Sequence, residues 1–158
     1  MEARFVYQNA EPASKAISCS VHCSVRSTRT MPDAALLSDQ PFVAEHLQVV
    51  HKIGVTGGDV PARIAGANKS ATYLLADVEV VATYKVYGVR CRKLEALIHK
   101  VFAPALFDLS IPNRFGSEVK PREWFLVPIS AIDEAVERIR DGSIVRSRYD
   151  PSAGRLAE

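Results

Sequence analysis

A few side chains in the middle of this 158-residue chain are of the types that phosphodiester hydrolysis would need. That reaction needs a guanidinium to offset charge on the phosphate, a divalent cation, and a group that takes a proton from water. Arg63 can supply the first. Glu95 can hold the second, since a single carboxylate suffices for a Mg²⁺ that keeps most of its waters and takes a phosphate oxygen from the substrate. His51 is a candidate for the third, because the ordinary pKa of histidine suits a base. Each has a plainer alternative. Arg63 can be a solvated helix arginine or pair with Asp59 at i, i−4, and Glu95 can pair with Arg92 or His99 across helix turns.

The elements that would position them centre on His51-Lys52-Ile53-Gly54-Val55-Thr56-Gly57-Gly58. Val49 and Val50 lead in, and Asp59-Val60-Pro61-Ala62-Arg63 follows. An apolar run that breaks at glycines and restarts as a helix reads as strand, tight loop, helix. Gly57 and Gly58 are expected to use positive φ and to let a ligand approach the backbone. Asp59 is a helix N-cap and Pro61 fits the first turn. The new helix offers free N–H groups to an anion, with Arg63 one turn in. Gly54, Thr56, Gly57 and Gly58 are therefore candidate substrate-binding residues. A plain strand-to-helix connection is the alternative.

Val78 to Tyr87 alternates and predicts a long strand. Leu94, Leu97, Ile98, Val101 and Phe102 recur at helical spacing and predict a helix over 91–102, stopped at Pro104. Glu95 and His99 lie one turn apart on the flank of that stripe. Glu123-Trp124-Phe125-Leu126-Val127 reads as a short strand between prolines. Ser130 with Asp133 forms a capping box for a helix that Gly142 ends. Residues 1–35 are rich in Ser, Thr, Pro and Ala without periodicity and are expected to be irregular or disordered. Residues 143–158 are expected to be a frayed tail. The alternation of strands and helices allows either a parallel α/β sheet or a small α+β domain with a mostly antiparallel one.

The formal charge of +2 neither demands nor excludes nucleic acid. No apolar run is long enough to cross a bilayer, and the first residues lack a signal-peptide core, so no membrane association is expected. Cys19, Cys23 and Cys91 are an odd count with no second ligand pair for a metal. Free thiols in a cytoplasmic protein are the expectation.

Lys52-Ile53-Gly54, Arg63 nine residues on, the strand, Leu94-Glu95 with Ile98-His99, and Glu123-Trp124-Phe125 come in an order that resembles the GIY-YIG nuclease superfamily. The resemblance is to its phage-associated branch, whose domain ends in Glu-Trp-Phe, and covers roughly residues 38–142. It implies an α+β fold, a small αβα domain over 36–142 with a short, mainly antiparallel sheet flanked by helices. It also implies DNA as partner. The arginine would contact the scissile phosphate, the helix glutamate would bind one Mg²⁺ or Mn²⁺, and a tyrosine would assist the water. Lys52 stands where many relatives carry a tyrosine, and His99 and Glu123 join the candidate substrate contacts. The family's first strand motif should lie shortly before Ser38, where Met31 to Leu37 has no tyrosine and contains Pro32. Tyr7 or His51 would have to replace it. A metal-dependent DNA endonuclease is thus the first expectation and a catalytically inactive DNA-binding module the second. The third is a protein-interaction domain that uses Trp124 and Tyr87.

Overall fold

The computed structural model describes residues 18–26, 49–74, 77–108, 110–112, 116–120 and 122–158. Its centre is a four-stranded sheet of β1 (Ser18–Arg26), β2 (Val50–Thr56), β3 (Val78–Tyr87) and β6 (Trp124–Leu126), ordered β3-β1-β2-β6. Every pairing is antiparallel, which resolves the choice in favour of an α+β domain. Between β2 and β3 lie α1 (Val60–Ile64) and two 3-10 turns, Ala67–Lys69 and Ala71–Tyr73. After β3 come α2 (Cys91–Phe102), the two-residue strands β4 (Ile111–Pro112) and β5 (Glu118–Val119), then β6 and α3 (Ile129–Asp141). A closing hairpin is formed by β7 (Arg148–Asp150) and β8 (Arg155–Ala157).

Strand alternation gives the sheet two different faces. Cys19, Val21 and Cys23 of β1, Ile53 and Val55 of β2, and Ala82, Tyr84 and Val86 of β3 are buried in one core with the apolar stripes of α2 and α3. The other face carries His22 and Ser24 of β1 and Lys52 and Gly54 of β2. Beside them Val50, Leu74, Phe107 and Trp124 form a second, smaller apolar cluster. Tyr73 and Leu74 cover this side. Leu74 holds φ at 58°, the left-handed region that costs a non-glycine residue about 1 kcal/mol or more.

Several expectations need correction. Ser18–Arg26, read as irregular chain, is an inner strand of the sheet. The expected frayed tail from 143 instead packs Ile144, Tyr149 and Leu156 into the main core. The Ser130–Asp133 capping box does not form: α3 is capped at Pro128 without a side-chain bond, and the Asp133 carboxylate accepts from the Tyr84 hydroxyl. Gly57 and Gly58 do not adopt positive φ. Cys19 and Cys91 form a disulfide, with Cα atoms 5.5 Å apart, and only Cys23 is a free thiol. That bond ties β1 to the first turn of α2. Trp124 is 1% exposed and donates its indole N–H to the Thr72 carbonyl at 3.0 Å, so it is not an interface residue. No helix among the described residues is long and apolar enough to cross a membrane. Tyr7 and the Met31–Leu37 segment lie outside the described residues.

Candidate functional site

Lys52 is buried on the second face of the sheet, and a bare ammonium there would be costly to desolvate. Two groups offset the cost. Its Nζ forms an ion pair with Glu123 Oε2 and lies 4.5 Å from the centre of the Tyr73 ring. Burial pushes the Lys52 pKa down, Glu123 pulls it back up, Arg63 lowers it further and Glu95 raises it. The Tyr73 hydroxyl is pushed up by burial; Arg63 opposes that shift, while Glu123 and Glu95 add to it. Arg63 and Glu95, from α1 and α2, therefore act electrostatically on the same two side chains.

Arg63 itself is exposed and makes no ion pair with a described carboxylate. The expected pairing with Asp59 is backbone only, since the Asp59 side chain caps α1 by accepting from Ala62 N at 3.0 Å.

Glu95 and His99 meet β2 where its partner runs out. β6 pairs with β2 only as far as Lys52, and the Glu123 carbonyl takes the Ile53 N–H. Beyond that point α2 supplies the missing partners. His99 Nε2 donates to the Ile53 carbonyl at 2.8 Å, and Glu95 Oε1 accepts from Val55 N at 3.4 Å. Helix turns set this spacing: residues four apart on α2 face residues two apart on the strand. Neither Glu95 nor His99 pairs along its own helix.

His51 points the other way from Lys52. It donates from Nδ1 to the Val127 carbonyl at 2.8 Å, and burial lowers its pKa against the pull of the Val127 and Val49 carbonyls. The structure does not bring it to Arg63. Thr56 Oγ1 accepts from Gly58 N at 3.1 Å, so that hydroxyl shapes the loop. Gly57 and Gly58 line an open groove of about 630 Å³ with Ser18, Ser20, Thr83 and Lys85.

His22 and Tyr73 are the residues that sequence reasoning missed. His22 pairs across the strands with Gly54, and its ring fills the space where a side chain at 54 would begin. A Cβ on Gly54 would lie 2.7 Å from His22 Nε2 and 2.8 Å from Cε1. Gly54→Ala is expected to destabilise the protein by about 1–3 kcal/mol through overpacking. A double-mutant cycle of urea melts with His22→Ala should recover most of that loss; additive losses would show that the ring is not the obstacle.

His22 is held neutral. Burial lowers its pKa from 6.5 to about 4; Lys52 and Arg63 lower it too, and Glu123 opposes. Between those two values the unfolded chain binds a proton that the folded chain refuses. Stability should therefore rise with pH across that window and fall away as acid is added, by at most about 3 kcal/mol. His51, shifted in the same direction, adds to the trend. Urea melts at pH 7 and pH 4.5 should show a smaller difference for His22→Gln than for the wild type. Equal differences would mean that His22 is not the residue refusing the proton.

Among the described residues, the buried side-chain atoms with no hydrogen-bond partner are His22 Nδ1 and Nε2, Ser24 Oγ and the Tyr73 hydroxyl. His22 and Ser24 project from alternate positions of β1 on the face that Tyr73 covers. The same described residues hold no group of three or more His, Cys, Asp or Glu side chains placed to ligate one metal ion.

Comparison with known proteins places part of this arrangement in a family. The chain is 36% identical over 103 residues to the uncharacterized protein YeeC of Bacillus subtilis (strain 168). The aligned stretch is 65% of this chain but only 27% of that protein. No solved structure matches the chain. Residues 36–140, well over half of the chain and including Lys52, Arg63, Tyr73, Glu95 and Glu123, match the T5orf172 domain, and the chain belongs to that family.

Proposed function

We propose that this domain is a metal-dependent DNA endonuclease of GIY-YIG type, hydrolysing phosphodiester bonds. One observation carries the reading. An exposed guanidinium with no carboxylate partner among the described residues and a helix carboxylate act on the same pair of buried residues, beside the Lys-Ile-Gly strand. An exposed arginine is suited to a phosphate, which its planar fork can grip with two hydrogen bonds. Membership of the T5orf172 domain family supports a nuclease-like or DNA-binding role.

A single Mg²⁺ or Mn²⁺ fits Glu95. Val55 N is its one hydrogen-bond partner among the described residues, at the long limit of such a bond, and its carboxylate oxygens are hard donors. With no larger ligand cluster among the described residues, the ion would take its remaining ligands from water and the phosphate. It would supply charge to the phosphate oxygens and acidity to a bound water. Arg63 would orient the phosphate, and the buried Lys52–Glu123 pair would fix the floor beneath it.

Nicking of supercoiled plasmid in Mg²⁺ or Mn²⁺ tests the proposal, and metal-dependent conversion to open circles is expected. A second reading is favoured by the state of Lys52, whose ammonium is held by Glu123 and Tyr73 and cannot accept a proton. On that reading the domain binds DNA without cutting it. Salt-sensitive binding with no nicking under either metal would select it.

A further inference from the structure

The face of the sheet that holds Lys52 continues past that residue into a groove. Ser20 of β1 stands opposite Thr56 of β2 on one side and Lys85 of β3 on the other, and Ser18 stands opposite Tyr87. Thr56 follows Lys52, and Ser20 precedes its partner Ser24, by an even number of residues, so all of them share one face. There the groove of about 630 Å³ opens, lined by Ser18, Ser20, Thr83 and Lys85 and walled by the Gly57–Gly58 loop. Lys85 is exposed and makes no ion pair with a described carboxylate. Asp59 is the one carboxylate among the described residues lining the groove, and its side chain is turned to Ala62 N as the cap of α1. The start of α2 adjoins the same groove. A Cβ on Gly57 would lie 3.4 Å from Cys91 Sγ, which is 4.0 Å from the Ser18 carbonyl oxygen. Exposed Arg90 and Arg92 flank Cys91, and from Lys85 to Lys93 the chain carries four cations and no carboxylate.

We propose that this groove holds the sugar-phosphate backbone of DNA beside the cleavage site, with Lys85 on one phosphate and Arg92 extending the contact at the start of α2. The proposal rests on the DNA-binding part of the reading above and holds whether or not the domain cuts. An ammonium and hydroxyls on an open face are the usual partners of phosphate oxygens, and they position the duplex without reading its sequence. Gly57 and Gly58 carry no side chain to keep the backbone of the DNA away. Lys85 lies four residues along and two strands across from Lys52, roughly 16 Å by ordinary sheet spacings. That is too far for one phosphate to serve both places, so the groove takes a flanking phosphate.

The test is the fluorescence anisotropy of a short labelled duplex titrated with NaCl, in EDTA so that nothing is cut. Lys85→Gln is expected to weaken binding roughly 8-fold at about 0.1 M salt and to lower the salt slope by about 1, the counterion-release value for one phosphate. Adding Arg92→Gln should lower the slope by about 1 more. Lys85→Arg should keep the wild-type slope. Arg148→Gln is the control for net charge: it is exposed on β7, whose Tyr149 packs into the main core on the other side of the sheet. Its slope should match the wild type. Thermal melts should coincide for all of these, since each side chain is exposed. Wild-type binding by Lys85→Gln, or an equal loss in Arg148→Gln, would overturn the groove assignment and leave the DNA reading standing. If the wild type shows no salt-sensitive affinity for the duplex, both fail.

Discussion

Arg63→Ala is expected to lower plasmid nicking roughly 10²- to 10³-fold while leaving the fold intact, the usual cost of removing one donor aimed at developing charge. The side chain is exposed and has no ion pair among the described residues, so thermal stability should change by no more than about 0.5 kcal/mol. Arg63→Lys should recover little, since an ammonium cannot reproduce the planar fork. Glu95→Gln is the companion variant. The amide oxygen can still accept from Val55 N, so the edge of β2 remains capped, but the charge that would hold a cation is gone. Activity should fall as far as in Arg63→Ala, with a comparable melting temperature. Rates close to wild type for both variants would remove Arg63 and Glu95 from the reaction. A fall in melting temperature alone for Glu95→Gln would reduce Glu95 to a cap on the strand edge.

The elements that carry these two side chains were legible because each has a strong periodic pattern or a capping signal. Val78–Tyr87 and Cys91–Phe102 form over the residues their spacing predicts. α1 starts where Asp59 and Pro61 require, although it runs only five residues. The inner strand β1 was hidden for a physical reason. Cys19, Val21 and Cys23 alternate with Ser20, His22 and Ser24, a period-2 signal that serine content disguises as loop. The polar positions are not solvated: His22 and Ser24 are buried on the face that holds Lys52. The register irregularity beside Cys23 and Ser24 falls on β3, where Val81 has no partner, and leaves the alternation of β1 itself intact. The closing hairpin was missed because β7 and β8 each bury a single residue, Tyr149 and Leu156. The turn between them could have been found, since Asp150 Oδ1 accepts from Ser152 N and Ala153 N ahead of Gly154. Tyr73 had no signal, because it sits in a 3-10 turn whose exit depends on a left-handed leucine.

The part of the site least visible in sequence, the pairing of Lys52 with Glu123, carries the largest expected effect on stability. Glu123→Ala should destabilise the protein by about 3–5 kcal/mol, because among the described residues it leaves a buried ammonium with only the Tyr73 ring as partner. The side chains are unequally exposed, 2% for Lys52 and 25% for Glu123, so the loss should fall chiefly on the lysine. Burial already lowers the Lys52 pKa, and removing Glu123 takes away its main opposing influence. In the variant the unfolded chain therefore holds the proton more tightly than the folded one over a wider range. Stability should rise as pH is increased from neutral towards the ordinary lysine range, more steeply than in the wild type. Lys52→Met in the Glu123→Ala background should restore most of the loss by replacing the stranded charge with an apolar chain of similar length. Urea melts of the wild type and the single and double variants between pH 7 and pH 10 separate the terms. If Glu123→Ala is as stable as the wild type at pH 7, the ion pair does not hold the floor of the site. Loss of nicking in that variant, at a pH where it remains folded, would then have to come from Glu123 itself.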